Sequence, residues 1–227
     1  MKRFNITAVL LCIMLSTGCL SAIVKNSVKD TPIANRIDIH SGARTGDYAV
    51  LRAINSETSK DPAASMLAGN TTSTMKVLKK SNGYITIGQE TSTSMIGGGF
   101  MNSLVFQITA DYRGNVRSGC MIDTRSGEKT PLKIARNGDK NYYHVKTVSN
   151  TQLRKWGIPT RITVPAGTFS VTGKASVNTD GSESITVFLV NPGVKFGHVA
   201  TYAVYPDSET GVMTARRVLE LVEQGRK

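Results

Sequence analysis

The chain has 227 residues, of which 40% are hydrophobic and 19% are charged. This composition excludes a disordered tail and leaves room for one large domain or two small ones. Lysine and arginine number 28 against 16 acidic residues, so the formal net charge is +12. Because charged residues are sparse, the excess arises from few acids rather than from dense basic runs, and it favours an anionic surface over sequence-specific nucleic acid as the partner.

Residues 1–18 have the features of an export signal. Lys2 and Arg3 give a short positive start, and an apolar stretch interrupted only by Thr7 follows over residues 6–15. A helix needs about twenty apolar residues to span a bilayer, so a stretch of this length is typical of a signal peptide rather than of a membrane anchor. We therefore predict that residues 1–18 are a signal peptide.

Residues 15–19 (LSTGC) place small residues directly before a cysteine. They resemble a bacterial lipobox, with Ser16 where the family usually has leucine. The resemblance implies cleavage after Gly18 and a diacylglyceryl lipid on the sulfur of Cys19. Each buried methylene contributes about 0.8 kcal/mol, so two or three acyl chains hold a protein at a membrane. Leu20 replaces the aspartate of the familiar inner-membrane retention signal, which favours the outer membrane. An ordinary secretory signal with an incidental cysteine is the alternative.

The cysteine count agrees with this picture. Cys12 lies in the predicted signal peptide and Cys19 would be acylated, which leaves Cys120 alone and predicts no internal disulfide. Cys120 stands in a strand-like apolar stretch, where cysteine behaves as a small apolar residue rather than as a nucleophile.

The chain after Cys19 divides into two parts. Residues 19–45 mix isolated apolar residues with charged ones and keep no period, so we predict a lipidated N terminus and tether there. Over residues 46–227 apolar and polar residues alternate as in half-buried strands, which predicts one β domain. Only one interior helix is predicted, at 61–69.

Turn residues separate the predicted strands. Asn82-Gly83 and the run 111–115 tolerate tight turns and predict two antiparallel hairpins. A third hairpin is predicted around the turn at 178–181. The last apolar segment, 215–222, reads as a strand but also fits a helical stripe. Strands at about ten-residue spacing with few helices predict an all-β fold in which one antiparallel sheet curls around a core.

Three stretches near the C terminus carry a family resemblance: 164–169 (VPAGTF), 191–199 (NPGVKFGHV) and 219–225 (LELVEQG). They resemble uncharacterised bacterial periplasmic and outer-membrane proteins with the LolA/LolB-like lipoprotein-carrier fold. The resemblance implies a strongly curved sheet, an unclosed half-barrel with one or two short helices, whose concave side can hold acyl chains. It also implies that the final segment is a strand. Independently of the family, Pro165 and Gly167 predict a bend or bulge at a sheet corner.

One loop stands out as a candidate ligand site. Met95, Ile96, Phe100 and Met101 surround three consecutive glycines, so the segment is both apolar and easily bent. We consider two interpretations, a hairpin connection whose apolar residues tuck into the core and a lid that touches lipid.

No catalytic or metal motif is found. His40, His144 and His198 are too far apart in the chain for any zinc spacing, and no nucleophile elbow or phosphate-binding loop is present. We therefore predict no metal, no cofactor and no enzymatic activity. Trp156 lies between basic and turn residues, either as a core residue or as an interfacial anchor.

These observations predict a non-enzymatic lipoprotein anchored in the outer membrane through Cys19. Its β domain is expected to bind or shield an apolar or amphipathic ligand such as acyl chains. The alternative is an interaction module that presents a basic β surface to an anionic envelope polymer or host partner. An exported protein rarely meets nucleic acid, so none is expected as a partner. Basic residues that could form such a surface occur in three groups: Lys76, Lys79, Lys80; Arg154, Lys155, Arg161; and Arg216, Arg217, Arg226, Lys227.

Overall fold

The computed structural model describes residues 32–37, 42–54, 70–94, 104–124, 126–136, 145–177, 185–207 and 210–227. Within these ranges the chain forms strands and one short helix. They are β1 (Asp47–Ala53), β2 (Asn70–Ser81), β3 (Tyr84–Ser94), β4 (Leu104–Asp111), β5 (Val116–Ile122), β6 (Lys129–Pro131), β7 (Val145–Val148), α1 (Asn150–Lys155), β8 (Arg161–Val164), β9 (Gly167–Ser170), β10 (Thr172–Val177), β11 (Ile185–Val190), β12 (His198–Pro206) and β13 (Met213–Arg226).

Several predictions from the sequence lie outside the described residues. They are the signal peptide at 1–18, the lipidation site Cys19, the helix at 61–69, the turn at 178–181 and the four apolar residues of the candidate lid, Met95, Ile96, Phe100 and Met101.

Eleven strands form one antiparallel sheet that does not close into a barrel. Their order is β6-β5-β4-β3-β2-β1-β13-β12-β11-β10-β7, and β8 and β9 form a separate two-stranded sheet. The first and last long strands, β1 and β13, pair with each other at the centre, so the sheet has an N-terminal half and a C-terminal half. The predicted all-β fold, with one large antiparallel sheet and little helix, is confirmed.

The last segment of the chain is a strand, and the helical alternative is wrong. β13 pairs with β1 on one side and with β12 on the other. Its backbone N–H and C=O groups are therefore bonded to two neighbouring strands, which outweighs the helical spacing of its apolar residues.

Two predicted hairpin turns are confirmed. β2 and β3 are joined through Asn82 and Gly83, which have φ of 51° and 82°, as a tight hairpin turn of mirror-image type requires. In the turn between β4 and β5 the Asp111 carboxylate accepts hydrogen bonds from the backbone N–H of Arg113 and Asn115, both at 2.9 Å.

Two local expectations are corrected. The stretch around Pro165 is not a bend within the large sheet but the tight turn of the β8–β9 hairpin, with Val164 paired to Gly167. The sequence also missed α1, because the one interior helix that it predicts is at 61–69. Ser149 caps this helix by accepting a hydrogen bond from the Gln152 N–H. A helix of six residues with a single buried side chain, Leu153, is too short to show a period.

α1 and the β8–β9 hairpin form a second layer on one face of the C-terminal half. Leu153 is fully buried and lies so close to Gly173 of β10 that a Cβ there would be 2.7 Å from its Cδ2. Gly173 pairs with Leu189 of β11, so this face of β10 and β11 is the covered one. Trp156, at the C-terminal cap of α1, is half-buried and packs against the same core.

Part of the stretch predicted to be a tether lies against the sheet. The N–H of Ile33 donates to the carbonyl of Lys133 at 2.8 Å, and the N–H of Ile37 donates to the carbonyl of Gly114 at 2.9 Å. Ile33 also sits over β5, because a Cβ on Gly119 would meet its side chain at 2.7 Å. Residues 32–37 therefore run beside the β5–β6 end of the sheet. None of the described helices is long and apolar enough to cross a membrane.

Candidate functional site

A cavity of about 240 Å³ lies between the two halves of the sheet. Its walls come from strands on both sides of the central β1–β13 pair, so the sheet must curl until β2–β4 face β10 and β11. The residues that line it are Ile37, Met75, Ile87, Gln89, Ile108, Lys174, Phe188, Val190, Phe196 and His198.

The strand register shows that these residues share the concave face. Ile87 pairs with Ile108 in the N-terminal half, and Lys174 pairs with Phe188 in the C-terminal half. Paired residues point to the same side of a sheet, and neighbours along a strand point to opposite sides. Lys174 follows Gly173, whose face α1 covers, so Lys174 and Phe188 point away from α1 and into the cavity.

Seven of the ten lining residues are apolar, and the other three are Gln89, Lys174 and His198. The volume exceeds the roughly 150 Å³ of an apolar cavity that holds a benzene-sized ligand. It lies just below the range of about 300 to 1,000 Å³ that is typical of small-molecule sites. The site can therefore take one apolar chain, with polar groups at a few points of its wall.

His198 is held in a defined orientation at the start of β12. Its Nε2 lies 2.8 Å from the Thr201 hydroxyl oxygen, and its ring meets Phe188 edge to face with centroids 6.0 Å apart. Such aromatic pairs fix ring geometry in addition to burying area. This arrangement positions the imidazole as part of the cavity wall.

Sequence reasoning missed the polar residues of the cavity. From the sequence, His198 is excluded as a zinc ligand and has no other assigned role, and Lys174 and Gln89 do not stand out. The usable signal is the alternation of faces along a strand. Lys174 pairs with Phe188 across the β10–β11 hairpin, so it is a charged residue on the same inward face as an aromatic one. The predicted lid residues fall between β3 and β4, outside the described residues.

A buried carboxylate ties the first strand of the sheet to the last. Asp47 has no exposed surface; it accepts hydrogen bonds from Arg226 Nε at 2.8 Å and from the Arg44 N–H at 2.8 Å. Lys195 Nζ lies 3.4 Å away. Burial by itself raises the pKa of Asp47, but the bonds from Arg226, Arg44 and Lys195 outweigh it and hold the pKa below its usual value.

A second ion-pair cluster joins β13 to its neighbours. Glu220 is bonded by Arg52 Nη2 at 2.7 Å and by Arg217 Nη1 at 3.3 Å. Arg217 also donates to the Tyr202 hydroxyl and to the carbonyl of Thr163 in β8. Arg217 and Arg226, which the sequence placed in a basic surface group, are thus engaged in intramolecular pairs. Among the described residues, no group of three or more His, Cys, Asp or Glu side chains is arranged to hold a metal ion.

One end of the N-terminal half exposes a tyrosine–lysine patch, which comprises Lys79, Lys80, Tyr84 and Tyr112. The two tyrosines are 46% and 50% exposed and lie on adjacent hairpins, because Tyr84 pairs with Asp111, the residue before Tyr112. Lys80 Nζ sits 4.9 Å from the Tyr112 ring centroid, a cation–π distance.

No protein-family model matches this chain, and no curated protein matches it in sequence. The solved structures that are similar to most of it include the following three. A hypothetical protein from Chlamydia trachomatis is 14% identical, covering 82% of this chain and 89% of its own, with a TM-score of 0.42. A protein from Bacteroides fragilis, predicted to be exported and described as having a YmcC-like fold, is 8% identical over 84% of this chain and 100% of its own, with a TM-score of 0.37. A protein from Parabacteroides distasonis, predicted to be a lipoprotein, is 14% identical over 85% of this chain and 100% of its own, with a TM-score of 0.39. At these identities and TM-scores the likenesses carry no functional conclusion.

Proposed function

We propose that the protein is a non-enzymatic lipoprotein of the bacterial outer membrane that is anchored through Cys19 and binds an apolar or amphipathic ligand in its curved sheet. The cavity between the two halves of the sheet carries the proposal. Its wall is mostly aliphatic and aromatic, and apolar burial contributes about 25 cal/mol for each Å² removed from water. Among the molecules of a cell envelope, an acyl chain is the ligand that matches such a wall.

The position of Ile37 supports a link between anchor and ligand site. Ile37 lines the cavity and is held to the sheet through the Gly114 carbonyl, only eighteen residues after Cys19 in the chain. A molecule tethered in this way keeps its ligand site close to the acyl chains of the membrane, where the concentration of apolar ligands is high.

Filling the cavity tests ligand binding. We expect Ile108→Trp to place an indole in the cavity and to weaken binding of a fluorescent fatty acid at least tenfold. Thr109→Trp is the matched control, because Thr109 is the next residue of β4 and points to the opposite face. Equal affinities of the two variants, both with a wild-type unfolding transition, would refute cavity binding.

The anchor has a separate test. Cells expressing the protein are labelled with radioactive palmitate and fractionated into inner and outer membranes. Label in the wild type, no label in Cys19→Ser, and recovery of the wild type in the outer-membrane fraction are expected. Label that persists in Cys19→Ser, or a wild type that takes up no label, would contradict the lipid anchor.

The tyrosine–lysine patch favours a second candidate function, the display of a basic surface to an anionic partner. Lys79 and Lys80 are exposed beside two exposed tyrosines, a combination of charge and amphipathic aromatic rings that suits an anionic interface. We expect Lys79→Gln with Lys80→Gln to reduce sedimentation with anionic vesicles. The charge-matched control is Arg154→Gln with Lys155→Gln, on the exposed side of α1. Equal sedimentation of the two double variants would show that the tyrosine–lysine patch does not bind the anionic vesicles.

A further inference from the structure

The cavity wall is asymmetric in charge. Among its ten lining residues Lys174 is the only formal cation other than the titratable His198, and none of the ten carries a carboxylate. A wall of this kind is mostly apolar and carries one fixed positive charge. Lys174 lies on β10, across the register from Phe188, so the charge stands directly beside the aromatic part of the wall.

A buried polar group lies next to this lysine on the same face. Ser176 is two residues further along β10, and side chains at that spacing share a face about 6.6 Å apart. Ser176 is 2% exposed, and within the described part of the chain its Oγ has no hydrogen-bond partner. A buried hydroxyl left without a partner costs about 1–3 kcal/mol, so its position calls for a polar group that this part of the chain does not supply.

We infer that the cavity selects an amphipathic ligand with one apolar chain and an anionic head, and that the head is bound at Lys174 with the Ser176 hydroxyl as an additional donor. The inference rests on the proposed function and names the ligand class for the same cavity. The chain lies against Met75, Ile87, Ile108 and Phe188. A carboxylate or a phosphate head satisfies the same geometry, because both present oxygens that accept charge-assisted hydrogen bonds.

The test compares ligands that share a chain and differ in the head. Decanoate, decyl phosphate and decanol are titrated calorimetrically into the chain from residue 19 onward carrying Cys19→Ser, which is the predicted mature protein without its acyl chains. At least one of the two anions is expected to bind about tenfold more tightly than decanol, since a charge-assisted bond is lost with the alcohol. Tighter binding of one anion than of the other identifies the head as carboxylate or phosphate.

Substitution assigns the preference to a residue. Lys174→Met is expected to abolish the tenfold difference in affinity between the anions and decanol. Lys174→Arg, which retains the charge, is expected to keep the difference and serves as the second variant should the methionine variant fail to fold. Lys146→Met is the matched control, because Lys146 lies on the neighbouring strand β7, pairs with Ala175 on the opposite face and is exposed.

The outcomes separate the two proposals. Binding of decanol as tight as that of both anions overturns the inference but leaves cavity binding of apolar chains intact. The same holds if a folded Lys174→Met variant keeps the anion preference, or if Lys174→Arg loses it. Absence of binding for all three ligands overturns the proposed function and the inference together.

Discussion

The buried carboxylate of Asp47 allows a direct test of what stabilises the pairing of β1 with β13 at the centre of the sheet. Asp47 is the first residue of β1, and Arg226, its main partner, is the last residue of β13. Asp47→Asn retains the shape of the side chain and one acceptor oxygen but removes the charge.

The magnitude follows from the contacts. A hydrogen bond to a charged group contributes about 1.5–3 kcal/mol net. The side chains of Arg226 and Lys195 are 44% and 31% exposed, so solvent screens their part and they regain hydration in the variant. The asparagine oxygen also keeps one of the two close bonds. We therefore expect a loss of about 2 kcal/mol at neutral pH, which corresponds to a fall in Tm of roughly 4–8 °C for a chain of this length.

The pH dependence gives a second readout. The native pKa of Asp47 is lowered from the ordinary 3.8, so its ionised form is favoured by folding. The stabilisation is fully present above the unfolded pKa and is lost as pH falls from there through the native pKa. The difference between wild type and Asp47→Asn should therefore be constant from neutral pH down to about pH 5 and shrink below about pH 4.

The assay is urea unfolding at a series of pH values, followed by circular dichroism. Lys146→Met, far from Asp47 on the edge strand β7, controls for a change of charge at the surface. Equal unfolding free energies of wild type and Asp47→Asn at neutral pH, or a difference that stays constant below pH 4, would contradict a stabilising role of the Asp47 charge.

Three further predictions concern single positions in the fold. Gly173→Ala should lower the unfolding free energy by about 1–3 kcal/mol, because the new methyl group collides with the fully buried Leu153; an unchanged urea midpoint would show that α1 shifts freely on the sheet. Ser176→Ala should raise the unfolding free energy of the ligand-free protein by about 1 kcal/mol, since it removes an unpartnered buried hydroxyl. Ser118→Ala, at an exposed serine, is the control. Destabilisation by Ser176→Ala would show that the Ser176 hydroxyl does have a hydrogen-bond partner. Gly83→Ala should cost about 1 kcal/mol through its φ of 82° alone, and calorimetry that finds no fall in Tm would show that the turn adopts another type.

The sequence alone determined the features that depend on near neighbours. Alternation of apolar and polar residues predicted the strands because side chains of a strand point to opposite faces in turn. Asn82-Gly83 and the residues from Asp111 to Asn115 predicted their hairpins because the backbone angles and side-chain bonds of a tight turn are set within four or five residues. The all-β class follows from these local rules, and so does the strand character of most of the C-terminal third.

The tertiary structure decided everything that depends on residues distant in the chain. Lys174 and His198 become part of a site only because the sheet curls until they face Ile87 and Ile108, and no local pattern records that curvature. The pairing of β1 with β13, which excludes a C-terminal helix, joins residues about 170 positions apart. α1 forms where Leu153 fills the space above Gly173, a packing contact without any periodic signal. Strands and turns follow from the chemistry of neighbouring residues, whereas burial and register across the whole sheet decide which faces meet.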